Sequence, residues 1–90
     1  MAARCFEQVF GIPSHHRLEQ VRSRARAGIV RGVYWVHEEF DAQGHLVARY
    51  ESYQEMARSA PRRSGWCKFD RSGHLVASGD EIPARVDGFA

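Results

Sequence analysis

The stretch VYWVHEEFDAQGHLVARYESY, from Val33 to Tyr53, decides the fold of this chain. Its central part, Phe40 to Ala48, returns as Phe69 to Ala77, with seven of nine positions identical at an offset of 29 residues. Each copy places Asp-x-x-Gly between two apolar runs. Asp favours the first position of a type I turn, and Gly at the fourth adopts a left-handed conformation without a steric penalty. The repeat therefore predicts two β-hairpins, each with a three-residue loop closed by a glycine bulge.

This loop also predicts a register, in which Phe40 faces Leu46 and Val36 faces Tyr50. One face of the first hairpin then carries Tyr34, Val36, Phe40, Leu46, Ala48 and Tyr50, with the charged Glu38 as the exception. The other face carries Val33, Trp35, His37, Glu39, Val47, Arg49, Glu51 and Tyr53. The second hairpin divides in the same way, with Cys67, Phe69, Leu75 and Ala77 opposite Trp66, Lys68, Val76 and Ser78. A slip of one residue would exchange the faces and bury several charges. The face containing Phe40 and Phe69 is therefore the predicted core.

The composition is that of an ordinary globular domain. The 90 residues are enough for one domain with a single modest core, and 43% are hydrophobic and 27% charged. There is no apolar run near the ~20 residues of a membrane span, and the N-terminus has no secretory pattern. Cys5 and Cys67 match no metal or redox spacing. We therefore expect a cytoplasmic protein with reduced cysteines, no cofactor and no membrane association.

The charges are unevenly distributed along the chain. Residues 1–31 carry a net charge of +4, residues 32–61 of −3 and residues 62–90 of +1, within an overall +2. All basic residues except Lys68 are arginine, which indicates a GC-rich bacterial genome. So small a net charge argues only weakly for a nucleic-acid partner.

The segment PSHHRLEQVRSRARAG, residues 13–28, admits two structures. Ser14 as N-cap, Gly28 as C-terminal stop, and apolar residues at Leu18, Val21 and Ala25 predict a helix. The alternative is a strand, because small or apolar residues alternate with arginines from Val21 onward. We predict the helix, which would pack on the sheet together with the apolar N-terminus.

The rest of the chain divides at its turn signals. Residues 29–53 form the first hairpin and residues 66–79 the second. Ser52 and Glu55 have the spacing of a capping box, so residues 54–65 are predicted as a short helix or a loop. Residues 80–90 form a tail. Residues 1–90 thus predict a single α+β domain, an N-terminal helix on a four-stranded, mainly antiparallel sheet of two similar hairpins; the alternative is an all-β meander or small barrel.

The second copy resembles the hairpin units of tryptophan-glycine repeat proteins. Trp66, Asp70 and Gly73 have the spacing of that motif. Cys67 stands where its second glycine belongs, and His37 takes the tryptophan position in the first copy. The resemblance covers about a dozen residues, and no function follows from it.

No motif in the chain specifies a reaction. A cluster of His37, Glu39, Arg49 and Glu51 on one hairpin face is most simply explained by charge pairing on a solvated surface. His45 and His74 occupy equivalent turn positions, but two imidazoles do not complete a metal site. Cys67, on the predicted core face, is expected to be a buried apolar residue. An enzyme is therefore less favoured than a binding module, and no catalytic or metal residues are predicted.

The outer face of the hairpins is the candidate binding surface. The predicted binding residues are Trp35, Tyr53, Trp66, Arg49, Arg22 and Arg26. Three explanations fit so many aromatic residues on an outer face: the Arg-rich segment covers them, they bind a protein or a second copy, or they stack nucleic-acid bases beside arginines. We predict a small non-enzymatic module for protein binding or self-association. Single-stranded nucleic-acid binding is the second hypothesis and a small enzyme the third.

Overall fold

The fold is a five-stranded antiparallel sheet with one short helix. The computed structural model describes residues 5–58 and 60–83. Its elements are α1 (Phe6–Phe10), β1 (Arg17–Arg26), β2 (Val30–Phe40), β3 (Leu46–Ala57), β4 (Ala60–Asp70) and β5 (Leu75–Gly79). The strands lie in the sheet in chain order, from β1 to β5. In the described part of the chain β1 and β5 remain at opposite edges, so the sheet is an open meander and not a closed barrel.

The Arg-rich segment is the edge strand β1, so the predicted helix over residues 13–28 is wrong. β1 pairs with β2 along its length, from Arg17 opposite Phe40 to Arg26 opposite Gly32. The alternation of arginines with Ser23 and Ala25 was the correct signal. Pairing with β2 supplies the backbone hydrogen bonds that a helix would have made internally, and it outweighs the local helix propensity.

The predicted helix or loop between the hairpins is also absent. β3 continues to Ala57 and β4 begins at Ala60, so residues 54–65 belong almost entirely to two paired strands. Ser52, the predicted N-cap, is buried in the middle of β3. The capping-box pattern failed because Ser52 and Glu55 have equally good positions on opposite faces of a strand.

Both hairpin turns have the predicted geometry. The Gly44 amide donates to the Asp41 carbonyl at 3.0 Å, and the Gly73 amide donates to the Asp70 carbonyl at 3.0 Å. Gly44 has φ of 84° and Gly73 has φ of 87°, the left-handed conformation of a glycine bulge. The Asp41 carboxylate accepts backbone hydrogen bonds from Gln43 and His45. These hydrogen bonds lower the pKa of Asp41, and the bond from the His45 amide has the largest effect. The bond from the His74 amide has the largest effect in lowering the pKa of Asp70.

A second bulge in each hairpin overturns the predicted register. Phe40 pairs with Leu46 as expected, but Glu39 pairs with Ala48, so Val47 is an extra residue. Val76 is the extra residue in the second hairpin, where Phe69 pairs with Leu75 and Lys68 with Ala77. One inserted residue reverses the facing of everything beyond it.

The predicted core face is therefore wrong for β2 and right for part of β3. Val33, Trp35, His37 and Glu39 are buried on the same face as Ala48 and Tyr50, and we call this side of the sheet the inner face. Tyr34, Val36 and Phe40, predicted in the core, lie on the other side, which we call the open face. Cys67 and Phe69 lie there too, each directly opposite an open-face residue of β3.

The inner face is covered by residues 5–16, which we call the strap, and by Ile82. Phe10 is buried against Ala48 and Tyr50, while Phe6 packs on both this cluster and that of Val33, Trp35 and Ile82. The N-terminal apolar run thus docks on the core as predicted, as a helix of five residues. Of the predicted tail, residues 84–90 lie outside the described residues.

Candidate binding surface and buried polar network

The open face forms a broad groove across four strands. Its volume is about 630 Å³, within the ~300–1,000 Å³ of typical ligand sites. Side chains that alternate to this side include Arg22, Arg24, Tyr34, Val36, Glu51, Tyr53, Glu55, Arg63, Cys67 and Phe69. The centre of the groove is therefore aromatic and apolar, and charges of both signs surround it.

Two tyrosines of the open face extend over glycines. A Cβ atom added to Gly32 would lie 2.8 Å from the hydroxyl oxygen of Tyr34, and one added to Gly65 would lie 3.1 Å from that of Tyr53. Each glycine thus makes room for an aromatic ring that rests on the backbone.

Charged side chains pair with each other and with aromatic rings around the groove. The Tyr34 hydroxyl donates to Glu55 at 2.5 Å, and this bond, followed by burial, raises the pKa of Tyr34. The Arg24 guanidinium lies 5.6 Å from the Tyr34 ring centroid. Arg49 lies 5.7 Å from the Phe69 ring and forms an ion pair with Glu51. These contacts fix the side chains of the groove without covering it.

The structure separates the predicted binding residues into two groups. Arg22, Arg26, Arg49 and Tyr53 lie on the open face, from their places in the register. Trp35 is buried on the inner face, with only 4% of its surface exposed, and the half-buried Trp66 packs beside it. The tryptophans are therefore covered, as the first of our three explanations required, but by the strap and not by the Arg-rich segment.

Two groove residues, Tyr34 and Glu55, lie outside the predicted binding set. The predicted register places Tyr34 in the core, and the capping-box spacing places Glu55 at the start of a helix. Tyr34, Val36 and Glu38 alternate onto one face of β2. The charged Glu38 in this series indicates that the face is exposed to solvent.

The inner face contains a buried polar network at one end of the strap. The Glu39 side chain is 3% exposed, yet both of its oxygens have partners. The His16 Nδ1 atom lies 2.5 Å from Glu39 Oε2, and the Tyr50 hydroxyl donates to Glu39 Oε1 at 2.7 Å. Burial, then the bond to Glu39, raises the pKa of Tyr50. The network thus connects the strap to β2 and β3.

His37 and Ser52 are buried on the same face with unsatisfied polar atoms. Among the described residues, neither His37 Nδ1 nor Ser52 Oγ has a hydrogen-bond partner. Burial lowers the pKa of His37 to about 4, although the Glu7 carboxylate acts in the opposite direction. The predicted cluster of four charged residues is therefore divided, with His37 and Glu39 inside and Arg49 and Glu51 outside.

The remaining candidate groups do not form a site. His45 lies 3.4 Å from Asp41 and His74 lies 3.6 Å from Asp70, at exposed turns. In the described segments, no cluster of three or more His, Cys, Asp or Glu side chains is placed to hold a metal ion. Within residues 5–58 and 60–83, no helix has the length and apolar character needed to cross a membrane.

Comparison of this chain with protein-family models, with curated proteins and with solved structures finds no match. Its function is therefore inferred from its own residues.

Proposed function

We propose that this protein is a non-enzymatic binding module whose open face receives a polypeptide, and that the polypeptide is a second copy of the chain. The observation that carries the proposal is the open face itself, an aromatic groove across four strands that no described segment covers. Sheets that expose one apolar face are commonly completed by packing against another layer. We expect the module to act in the cytoplasm, where its free thiols Cys5 and Cys67 would remain reduced.

The charges around the groove favour a second copy. The open face carries Arg22, Arg24 and Arg63 together with Glu51 and Glu55. In a two-fold interface each patch meets its own copy, so a face that contains both signs can pair arginine with glutamate across the axis. A face of one sign would repel its copy.

The dimensions of the molecule also permit such an interface. Its two longer extents, 45 Å and 33 Å, outline a face of roughly 1,500 Å², whereas a standard interface buries about 800 Å² on each partner. Aromatic residues and arginine, which line the groove, are enriched among residues that dominate binding energy. Tyr53, in the middle strand β3, is the central anchor of the proposed interface.

Self-association is tested by the dependence of molar mass on concentration. We expect sedimentation equilibrium of the wild-type protein to show a monomer–dimer transition, and Tyr53→Glu to shift it toward monomer by at least tenfold in dissociation constant, which is about 1.4 kcal/mol. Ile29→Glu is the matched control, because Ile29 is 90% exposed and lies outside the strands. A wild-type protein that stays monomeric up to millimolar concentration would refute the proposal.

Single-stranded nucleic acid is the second candidate, and one observation favours it. Tyr34 and Tyr53 are neighbours on the open face, and Tyr34 pairs with Arg24 of the arginine-rich edge strand β1. Bases can stack on such rings while arginines contact phosphates. Anisotropy of a labelled mixed oligonucleotide at low and moderate salt tests this candidate, with Arg24→Ala compared to the turn variant Arg71→Ala. Binding that weakens with salt and is lost only in Arg24→Ala would replace the polypeptide as the occupant.

A further inference from the structure

The strap is attached to the sheet by side chains. Its backbone hydrogen bonds close within the strap itself: the Gly11 amide donates to the Gln8 carbonyl, the Ile12 amide to Glu7, and the His16 amide to Pro13. Its helix is only five residues long and would not be stable in isolation. The strap is therefore held by side chains, with Phe10 buried in the core, Phe6, Val9 and Ile12 packed against it, and His16 in contact with Glu39.

His37 lies directly beneath the two phenylalanines of the strap. The ring centroids of Phe6 and His37 are 4.4 Å apart, and those of Phe10 and His37 are 5.7 Å apart. Phe6 also lies 5.4 Å from the Trp35 ring, and Phe10 stacks on Tyr50 at 4.2 Å. The imidazole is thus at the centre of the contact between strap and sheet.

The surroundings of His37 favour an uncharged ring. It is 4% exposed, and its Nδ1 atom has no partner among the described residues. Gln20 of β1 and Tyr50 of β3 pair with it, and neither is charged near neutral pH. The groups on its own strand are Trp35 and Glu39, whose carboxylate is already bound by His16 and Tyr50.

One charged group of the strap, Glu7, affects the pKa of His37. The Glu7 carboxylate, which is exposed, favours the protonated ring, but burial is the larger effect and lowers the pKa of His37 to about 4. A proton on the ring therefore requires water to reach it. The route that breaks fewest hydrogen bonds is to lift Phe6 and Phe10, because the sheet keeps its backbone ladder when they leave.

We propose that the strap is an acid-released cover: protonation of His37 detaches residues 5–12 from the inner face while the five-stranded sheet persists, and Trp35 and Tyr50 become accessible. The His16–Glu39 contact lies at the far end of the strap, so it can keep the released segment tethered. This device acts on the inner face and does not depend on the function proposed for the open face.

The test uses Trp35 as a reporter in the full-length chain. The protein has two tryptophans, so Trp66→Phe leaves Trp35 alone. Acrylamide, a neutral quencher, is titrated between about pH 7.5 and pH 3.5 while far-UV circular dichroism follows the sheet. We expect the quenching constant to rise several-fold as the pH falls, with the circular dichroism signal unchanged. Phe6→Ala should give the high quenching constant already at neutral pH.

His37→Leu, in the same background, removes the titrating group and should keep Trp35 protected at low pH. His37→Gln provides a second non-titrating variant if the leucine variant does not fold. His45→Gln, at an exposed turn, should behave as the parent protein. The proposal is overturned if the His37 variants release Trp35 at the same pH as the parent, or if the sheet signal is lost together with the protection of Trp35.

Discussion

The Glu39 carboxylate lies beneath the strap, and its two oxygens are bound by residues from different parts of the chain. His16 reaches it from the loop before β1, and Tyr50 reaches it from β3. A buried carboxylate without partners is strongly destabilising, so its partners are expected to matter more than surface ion pairs. Arg17 and Glu19, which form an exposed pair on β1, illustrate the weaker kind.

Removing the Tyr50 hydroxyl from this network should destabilise the fold. Tyr50→Phe keeps the ring that stacks on Phe10 but leaves Glu39 Oε1 without its donor. We expect the free energy of unfolding, measured by urea denaturation at neutral pH, to fall by about 1–3 kcal/mol. Tyr53→Phe is the matched control on the same strand, since its hydroxyl lies on the open face. Equal losses in the two variants would contradict the assigned role of the network.

The two hairpins are the elements whose internal structure follows from local sequence. Each has a left-handed glycine that closes the turn, and a Cβ atom added to Gly44 or Gly73 would have no neighbouring atom of the described residues within 4 Å. The glycine is required by backbone conformation alone, and not by space.

This distinction can be measured at the first turn. Gly44→Ala should lower the free energy of unfolding by about 1–2 kcal/mol, the cost of a left-handed alanine. Gly44→Asn should cost less, because asparagine tolerates this conformation. Thermal or urea unfolding of the two variants, and of the equivalent pair at Gly73, provides the measurement. If alanine and asparagine were equally tolerated, the left-handed conformation would not be what selects glycine.

The turns could be predicted because their chemistry is contained within five residues. The second bulge could not, because Val47 resembles any other strand residue and its insertion is decided by what the two faces of the hairpin pack against. Phe6 and Phe10, far away in the sequence, select the face with Trp35 and Tyr50 for burial. For the same reason the helix or strand state of residues 13–28 depended on β2, and local spacing alone gave the wrong answer.

At the scale of the whole molecule, the two sides of the sheet have different properties. The inner face is a thin core of few buried apolar residues, interrupted by buried polar side chains. The open face has charged and aromatic side chains in a shallow groove. A single sheet with a strap on one side is only 19 Å thick, so the strap, together with Ile82, is the one layer that shields the inner face among the described residues.

The decrease in the stability of the fold at acid pH should depend on His37. Its pKa is about 4 in the folded protein and 6.5 as the ordinary value, so the unfolded chain binds the proton more tightly. The contribution of the neutral ring to stability is therefore complete above pH 6.5 and is lost progressively as the pH falls toward 4. We expect the urea midpoint of the wild-type protein to decrease over this range, and that of His37→Leu to decrease less. If the urea midpoints of the two proteins decreased in parallel as the pH fell, groups other than His37 would control the loss of stability at acid pH.

The order of the strands has a consequence for how the chain reaches its structure. Because every strand pairs with the one before it in sequence, each pairing closes only a short connection and none waits for a distant segment. The entropic cost of closing a loop grows with its length, and folding slows as paired segments lie further apart in the chain. The sheet can therefore form strand by strand, because each new strand pairs with the strand that precedes it in the sequence. We expect this chain to fold rapidly for a protein whose described residues lie mostly in β-strands.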